Sequence, residues 1–324
     1  MSDMHLLDIT SKDLTLEPIR KGFGRGLLQA GKDDENVVAL CADLTGSTMI
    51  NLFAEAFPSR FVEVGIAEQN LVTVASGMTV LGKIPFTSSY AAFSPGRNWE
   101  QYKTTACINN RPVKIVGSHA GLMTGADGAT HQMLEDIALM RCLPNNVVLV
   151  PCDSVEAEKA TRALAKDPHP GYIRVARANS PVFTTEQTPF EIGKAQVFSP
   201  GQDVTIVACG TMVAEALKAA EKLFTDGIDA EVINYSTIKP LDAVTLLKSA
   251  QKTGAVITIE EAQINGGLGS AVAEVLGESF PVPLKRMGVR DRFGESGTPE
   301  ELFEHFGLTA KHIVLEAHQI VKRK

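Results

Sequence analysis

The sequence predicts an α/β protein built on a mostly parallel sheet, and three observations carry that reading. Short β-branched runs alternate with amphipathic stretches whose apolar residues recur every three or four positions, the period of one helix face. Prolines stand just ahead of strands, in Arg111-Pro112 and Leu143-Pro144, where they end a helix and extend the residue before them. No repeat at solenoid periods and no low-complexity tract breaks the alternation. Strands connected through helices require crossovers, and crossovers leave neighbouring strands parallel.

In chain order, helical spacing is expected over residues 18–30, 67–82, 98–108, 132–142 and 155–166. Strand-like runs fall at 37–42, 60–64, 113–118, 147–151 and 172–176. From Ala178 to Gly201 the regularity lapses into Asn, Ser, Pro, Thr and Gln, with Pro181, Pro189 and Pro200. A domain boundary belongs in such a stretch, giving a first domain at 1–190 and a smaller second one at 191–324. The second unit reads as strands 204–208, 230–234, 255–259 and 284–287, with helices 212–224, 241–252, 269–277, 300–306 and 311–321.

Two glycine-rich spots invite a nucleotide reading. Gly22-Phe23-Gly24-Arg25-Gly26 has no strand before it and lies inside a helical pattern, which argues against a dinucleotide loop. Gly266-Gly267-Leu268-Gly269 does follow a strand and open a helix. It lacks a second half-site and a ribose-binding acid, so close packing of helix on strand is the expected reason for it.

Composition narrows the function classes. The chain has 324 residues and a net charge of −7, with Lys and Arg scattered, so it offers no basic face to nucleic acid. No apolar run reaches the ~20 residues of a membrane span. Met1–Thr15 lacks the charged start and apolar core of a secretory signal. Cys41, Cys107, Cys142, Cys152 and Cys209 are dispersed without CxxC spacing, which points to buried reduced thiols and a cytoplasmic location.

The chemistry concentrates in two segments. Val64-Gly65-Ile66-Ala67-Glu68-Gln69-Asn70 sets a carboxylate at the mouth of a helix that continues apolar and small through Leu71, Val74, Ala75 and Met78. Such a Glu either caps the helix or is buried against a donor, because an unpaired buried carboxylate costs several kcal/mol. About sixty residues on, Ser118-His119 and Asp127-Gly128-Ala129-Thr130-His131-Gln132 crowd two His and an Asp among Gly, Ala and Thr. Loops at strand ends are where α/β sheets place their ligands.

The pair of segments resembles the pyrimidine-binding half of the transketolase family of thiamine diphosphate enzymes. The resemblance implies a pyrimidine-binding parallel-sheet domain followed by the smaller transketolase C-terminal α/β domain. In that family a Glu hydrogen-bonded to a nitrogen of the aminopyrimidine activates the cofactor, and the matching residue is Glu68. Tyr90 and Phe93, in Phe86-Thr87-Ser88-Ser89-Tyr90-Ala91-Ala92-Phe93, match two stacking aromatics. A third, expected shortly afterwards, is replaced by Gly96, with Trp99 and Tyr102 as possible substitutes. The resemblance makes His131 and Asp127 catalytic, His131 facing the donor hydroxyl and Asp127 reading the sugar's hydroxyl configuration. It assigns a substrate phosphate to Arg20, Ser47, His119 and Arg177.

A Gly-Asp-Gly segment with a downstream Asn binds Mg²⁺ and the cofactor diphosphate in full-length members, and this chain has no Gly-Asp-Gly. The resemblance therefore implies the C-terminal subunit of a split transketolase, with no metal ligands of its own. Thiamine diphosphate would be shared with an N-terminal subunit that carries the Mg²⁺ ligands, in an α₂β₂ assembly acting on sugar phosphates. Three alternatives stay open: a deoxyxylulose-phosphate synthase-like enzyme, the β subunit of a 2-oxoacid dehydrogenase, and a non-catalytic interaction subunit. The segment Val289-Arg290-Asp291-Arg292-Phe293-Gly294-Glu295-Ser296-Gly297 favours the transketolase subunit.

Overall fold

The computed structural model describes residues 4–324. The first half runs β1 (Leu16–Pro18), α1 (Ile19–Asp33), β2 (Val37–Cys41), α2 (Asn51–Ala56), β3 (Phe61–Glu63), α3 (Glu68–Val80) and β4 (Ile84–Tyr90). It continues with α4 (Trp99–Gln101), which passes into a π-helical turn at Tyr102–Cys107, then β5 (Lys114–Ser118), α5 (Asp136–Arg141), β6 (Val147–Leu149), α6 (Ser154–Lys166), β7 (Gly171–Val175) and β8 (Asn179–Pro181). The second half adds β9 (Gln196–Ser199), β10 (Val204–Ala208), α7 (Met212–Thr225), β11 (Ala230–Asn234), β12 (Thr237–Lys239), α8 (Ala243–Thr253) and β13 (Val256–Gln263). It ends with α9 (Leu268–Ser279), β14 (Leu284–Val289), α10 (Pro299–Phe306) and α11 (Ala310–Ile320).

A seven-stranded sheet of order β12-β6-β7-β5-β4-β2-β3 organises the first half, and a five-stranded sheet of order β14-β13-β10-β11-β9 the second. All pairs in the larger sheet are parallel except β12 with β6. Strand β2 shows why its apolar run is continuous. Val37, Ala39 and Cys41 face one core, and Val38 and Leu40 the other, so both faces are covered. A one-residue slip would exchange the two sets of side chains between different cavities.

Several elements differ from the sequence expectation. Strand β4 was legible only as part of the aromatic segment, because Thr87, Ser88 and Ser89 mask its apolar character, yet all three are fully buried. Helix α5 begins at Asp136 rather than 132, since Gln132 turns away to donate to the carbonyls of Gly125 and Glu295. Short α2, β9 and β12 carry too few residues for a periodic signal. Strand β12 has a further consequence: it comes from the second half but pairs with β6, Thr237 opposite Leu149 and Lys239 opposite Val148. A single apolar cluster also joins Val148 and Tyr172 to Val207, Tyr235, Ile238 and Val256. The two sheets thus share a core. Cys142 is exposed, contrary to the expectation that all five thiols are buried.

The glycines of α1 let two helices touch. A Cβ at Gly22 would lie 1.8 Å from the Ser154 carbonyl oxygen, and one at Gly26 2.7 Å from that of Glu158. Arg25, between them, pairs with Glu158 at 2.8 Å and Glu17 at 2.9 Å. The second glycine-rich spot is filled from within: Glu260 accepts the backbone N–H of Leu268 and of Gly269, both at 2.8 Å. The acceptor at this helix N-terminus is the protein's own Glu260 carboxyl group. Among the described residues, no helix is long and apolar enough to cross a membrane.

Candidate active site

Because the strands are parallel, their C-terminal ends lie on one edge, and every expected site residue except Arg20 follows a strand there. Ser47 comes after β2, Glu68 after β3, Tyr90 ends β4, His119 follows β5 and Arg177 follows β7. Arg20, at the start of α1, joins them through its backbone N–H, which donates to Ala176. Glu68 and Arg177 belong to strands four places apart, roughly 19 Å at ~4.8 Å per strand. The site is a row, with the carboxylate at one end and the arginines at the other.

At the carboxylate end, Glu68 is 2% exposed. It does not cap its helix; the N-cap is Ala67, and no side chain caps there. Its Oε2 instead accepts from Arg97 Nη1 at 2.8 Å. Beside it, Tyr90 and Phe93 lie near-parallel, 23° apart with centroids at 6.0 Å. Trp99 and Tyr102 do not replace the missing aromatic. The Trp99 indole donates to the Leu139 carbonyl, and Tyr102 is fully buried with its hydroxyl donating to Asn146. The Arg97 guanidinium, one residue after Gly96, lies over the Phe93 ring at 5.3 Å from its centroid. Nothing in the residue pattern singled out Arg97; only the turn after β4 brings it there.

In the middle of the row, His119 stacks on Tyr90 at 3.8 Å, a consequence of the pairing that sets Tyr90 opposite Ser118. His131 meets Phe93 edge-on at 5.5 Å and shares a hydrogen bond with Thr130 through Nδ1 at 2.9 Å. His119 adopts φ = +56°, an unusual conformation for a side-chain-bearing residue and one of order 1–3 kcal/mol in cost. Thr124 Oγ1, donating to the His119 carbonyl at 2.5 Å, helps hold it there.

At the far end, Arg20 Nη1 donates to the Ser47 carbonyl at 2.6 Å and approaches His119 Nε2 at 3.2 Å. A guanidinium can only donate, so Nε2 must be the acceptor, and the proton resides on Nδ1, which donates to Ser118 Oγ at 2.9 Å. Burial, reinforced by Arg20, Arg177 and His131, pushes His119 down to about 3, so it is neutral at physiological pH. Arg20 is itself pushed down by burial and by the neighbouring Arg177, and its buried Nε has no hydrogen-bond partner. Arg177 donates to the Thr124 carbonyl at 2.8 Å and stands 3.8 Å from Asp127. The two arginines line an open cavity of 540 Å³ together with Thr124 and, from the second half, Thr298, Pro299 and Glu301. Ser47 contributes its carbonyl to Arg20, not a side-chain contact, and its hydroxyl side is exposed.

Like charges crowded around a neutral imidazole, with an orphan donor, are chemically suited to an oxyanion. A buried carboxylate beside aromatic faces suits a planar nitrogen heterocycle. The first half of the chain, residues 18–182, matches the transketolase pyrimidine-binding domain, and residues 193–313 match the transketolase C-terminal domain. The chain belongs to the transketolase family and is a transketolase-type transferase subunit.

It is 46% identical over 298 residues to the 6-deoxy-6-sulfo-D-fructose transketolase subunit SqwH of Clostridium sp. (strain MSTE9), covering 92% of each chain. It is 39% identical to an apulose-4-phosphate transketolase subunit of Phocaeicola vulgatus, covering 94% of this chain and 97% of that one. Among solved structures, a split gene transketolase described as an inactive β₄ tetramer superposes with a TM-score of 0.88 at 44% identity, over 94% of this chain and 98% of that one. The chain thus spans nearly the whole of such C-terminal subunits, and its family implies dependence on thiamine diphosphate.

Proposed function

We propose that this subunit transfers a two-carbon ketol unit between sugar phosphates, working with a separate diphosphate-binding subunit that supplies the Mg²⁺ ligands. The observation that carries the substrate class is the pair of Arg20 and Arg177 around neutral His119, two cations with one carboxylate between them, Asp127 at 3.8 Å from Arg177, and none on Arg20. An oxoacid dehydrogenase subunit has no use for such a cradle, and a non-catalytic subunit no reason to keep Glu68, His131 and Asp127 in one row with it. Thiamine diphosphate, when bound, supplies the carbon nucleophile and the electron sink. Glu68 would share a proton with the pyrimidine nitrogen, flanked by Tyr90 and Phe93. His131 would face the donor hydroxyl and move its proton, Asp127 would accept from a sugar hydroxyl, and Arg20, Arg177 and His119 would hold the distal anion.

The similarity to a sulfosugar transketolase subunit supports a second substrate, a sugar sulfonate, for the same cradle. Both anions present oxygens that a guanidinium can meet bidentately. The test is Arg177→Ala in the assembled enzyme. A charge-assisted contact is worth about 1.5–3 kcal/mol, so kcat/KM should fall about ten- to a hundredfold toward a sugar phosphate. Toward glycolaldehyde, which offers no anion, it should change little. Equal losses on both would make Arg177 structural and remove the support for an anionic substrate. A loss confined to a sugar sulfonate would select the second reading.

A further inference from the structure

Arg97 makes with this chain's own groups the two contacts that the proposed function assigns to the cofactor's pyrimidine ring. It donates an N–H to the buried Glu68 carboxylate and presents a flat, delocalised cation to the ring of Phe93. The two partners are unequal: the Glu68 side chain is 2% exposed and that of Arg97 53%. An exposed arm is reaching into a buried acid. Its base is fixed, because Asn98 Nδ2 ties the turn to both the Glu68 carbonyl at 2.8 Å and Ser94 Oγ at 3.0 Å. The backbone N–H of Arg97 donates to Phe93 at 2.9 Å. The preceding residue, Gly96, adds no side chain that would bar the arm's movement.

We infer that Arg97 is a latch: it occupies Glu68 when the pyrimidine is absent and must swing outward to admit it. This rests on the reading of Glu68 as the pyrimidine's partner. The chemistry requires the exchange. A guanidinium can only donate, and at 2.8 Å it occupies the Oε2 that a pyrimidine ring nitrogen would have to meet, so the two cannot be held there together. A latch closed most of the time lowers apparent affinity by the fraction of molecules that are open, with no contact to the cofactor needed. It also keeps Glu68 paired in the chain before assembly, where an unpaired buried carboxylate would be costly.

The test is the dissociation constant of thiamine diphosphate, titrated at fixed Mg²⁺ into the subunit assembled with its diphosphate-binding partner. Arg97→Ala and Arg97→Gln should both bind about three- to tenfold more tightly than wild type, the gain expected when a latch closed in roughly 70–90% of molecules is removed. Arg97→Lys, which keeps the charge without the planar fork, should fall between. Removing the guanidinium leaves Glu68 buried and unpaired in the free subunit, so unfolding midpoints should fall in the Ala and Gln variants, and the constants are compared on assemblies that remain folded at the titration temperature. Unchanged or weaker binding in both Ala and Gln variants would overturn the latch, leave the assignment of Glu68 standing, and make Arg97 a permanent wall of the site. No binding by the wild-type assembly, or full-strength binding by Glu68→Ala, would overturn the assignment of Glu68 and the latch with it.

Discussion

At Glu68 two demands conflict, and the local structure shows how they are met. A carboxylate at 2% exposure needs a partner, while the acid–base role proposed for Glu68 requires that this partner can be exchanged. Pairing it with a half-exposed arginine rather than with a buried one satisfies both. By contrast, Asp136 is held by Arg174 at 2.8 Å with both side chains buried, and that pair has no freedom to part. The consequence for function is testable with Glu68→Gln. The amide keeps the size and can still hydrogen-bond, but it cannot share a proton with the ring nitrogen. Proton–deuterium exchange at the thiazolium carbon of the assembled enzyme, followed by NMR, should slow by on the order of 10²–10⁴, with a smaller effect on cofactor affinity. Exchange at the wild-type rate would leave Glu68 with a structural role only. At His119 the same scale explains a tautomer: the donor-only guanidinium of Arg20 places the proton on Nδ1, a conclusion available only once the two side chains are seen together.

Among the elements, α9 illustrates how a motif's resemblance to a ligand loop can be satisfied internally. Its glycine-rich entry and free N–H groups have the makings of a phosphate site, but β13 inserts Glu260 into it. Burial outweighs the two backbone donors and pushes Glu260 up to about 7. A carboxyl with a folded value above its unfolded value binds more protons folded than unfolded across the interval between them. Its contribution to stability is therefore fullest below about 4.5 and declines as pH rises to about 7. Glu260→Gln cannot titrate. The stability advantage of wild type over this variant should accordingly shrink by on the order of 3 kcal/mol between pH 4 and pH 7.5, as read from urea unfolding at each pH. An advantage that is the same at both pH values would show that Glu260 does not carry a raised value. The neighbouring Glu261 does different work: it accepts from Met123 N–H and Thr211 Oγ1, both at 2.6 Å, and so ties the His119–Asp127 loop to the second sheet.

At the scale of the whole molecule, the candidate site is an open row on one edge of a sheet, with a carboxylate and aromatics at one end and two arginines around an imidazole at the other. Among the described residues no group of three or more His, Cys, Asp or Glu is poised to hold a metal. Under the proposed function the diphosphate and its Mg²⁺ are held by the partner, so the isolated chain should bind thiamine diphosphate weakly and turn over no sugar. Calorimetric titration of the purified chain with thiamine diphosphate and Mg²⁺ checks it, and tight, Mg²⁺-dependent binding without the partner would refute it. Mixing with the partner should yield an α₂β₂ mass by light scattering.

The alternation of helices and strands was legible in the chain because it depends on neighbours in sequence, and Glu68, His119, Asp127 and His131 stood out there as candidates whose roles came from the family resemblance. Amphipathic spacing is local, and a loop that packs His and Asp among glycines announces itself. Strand β4 was harder to read, since its buried Thr and Ser look like surface until the sheet covers them. Strand β12 could not be read at all: three residues from the second half complete the first sheet, and only the shared core explains why. The roles of Arg97 and Ser47, the former pairing with Glu68 and the latter lending a carbonyl to Arg20, were likewise decided in three dimensions. A side chain's partner across the fold is set by which strand ends lie adjacent, and adjacency in a parallel sheet is a property of topology that no local pattern encodes.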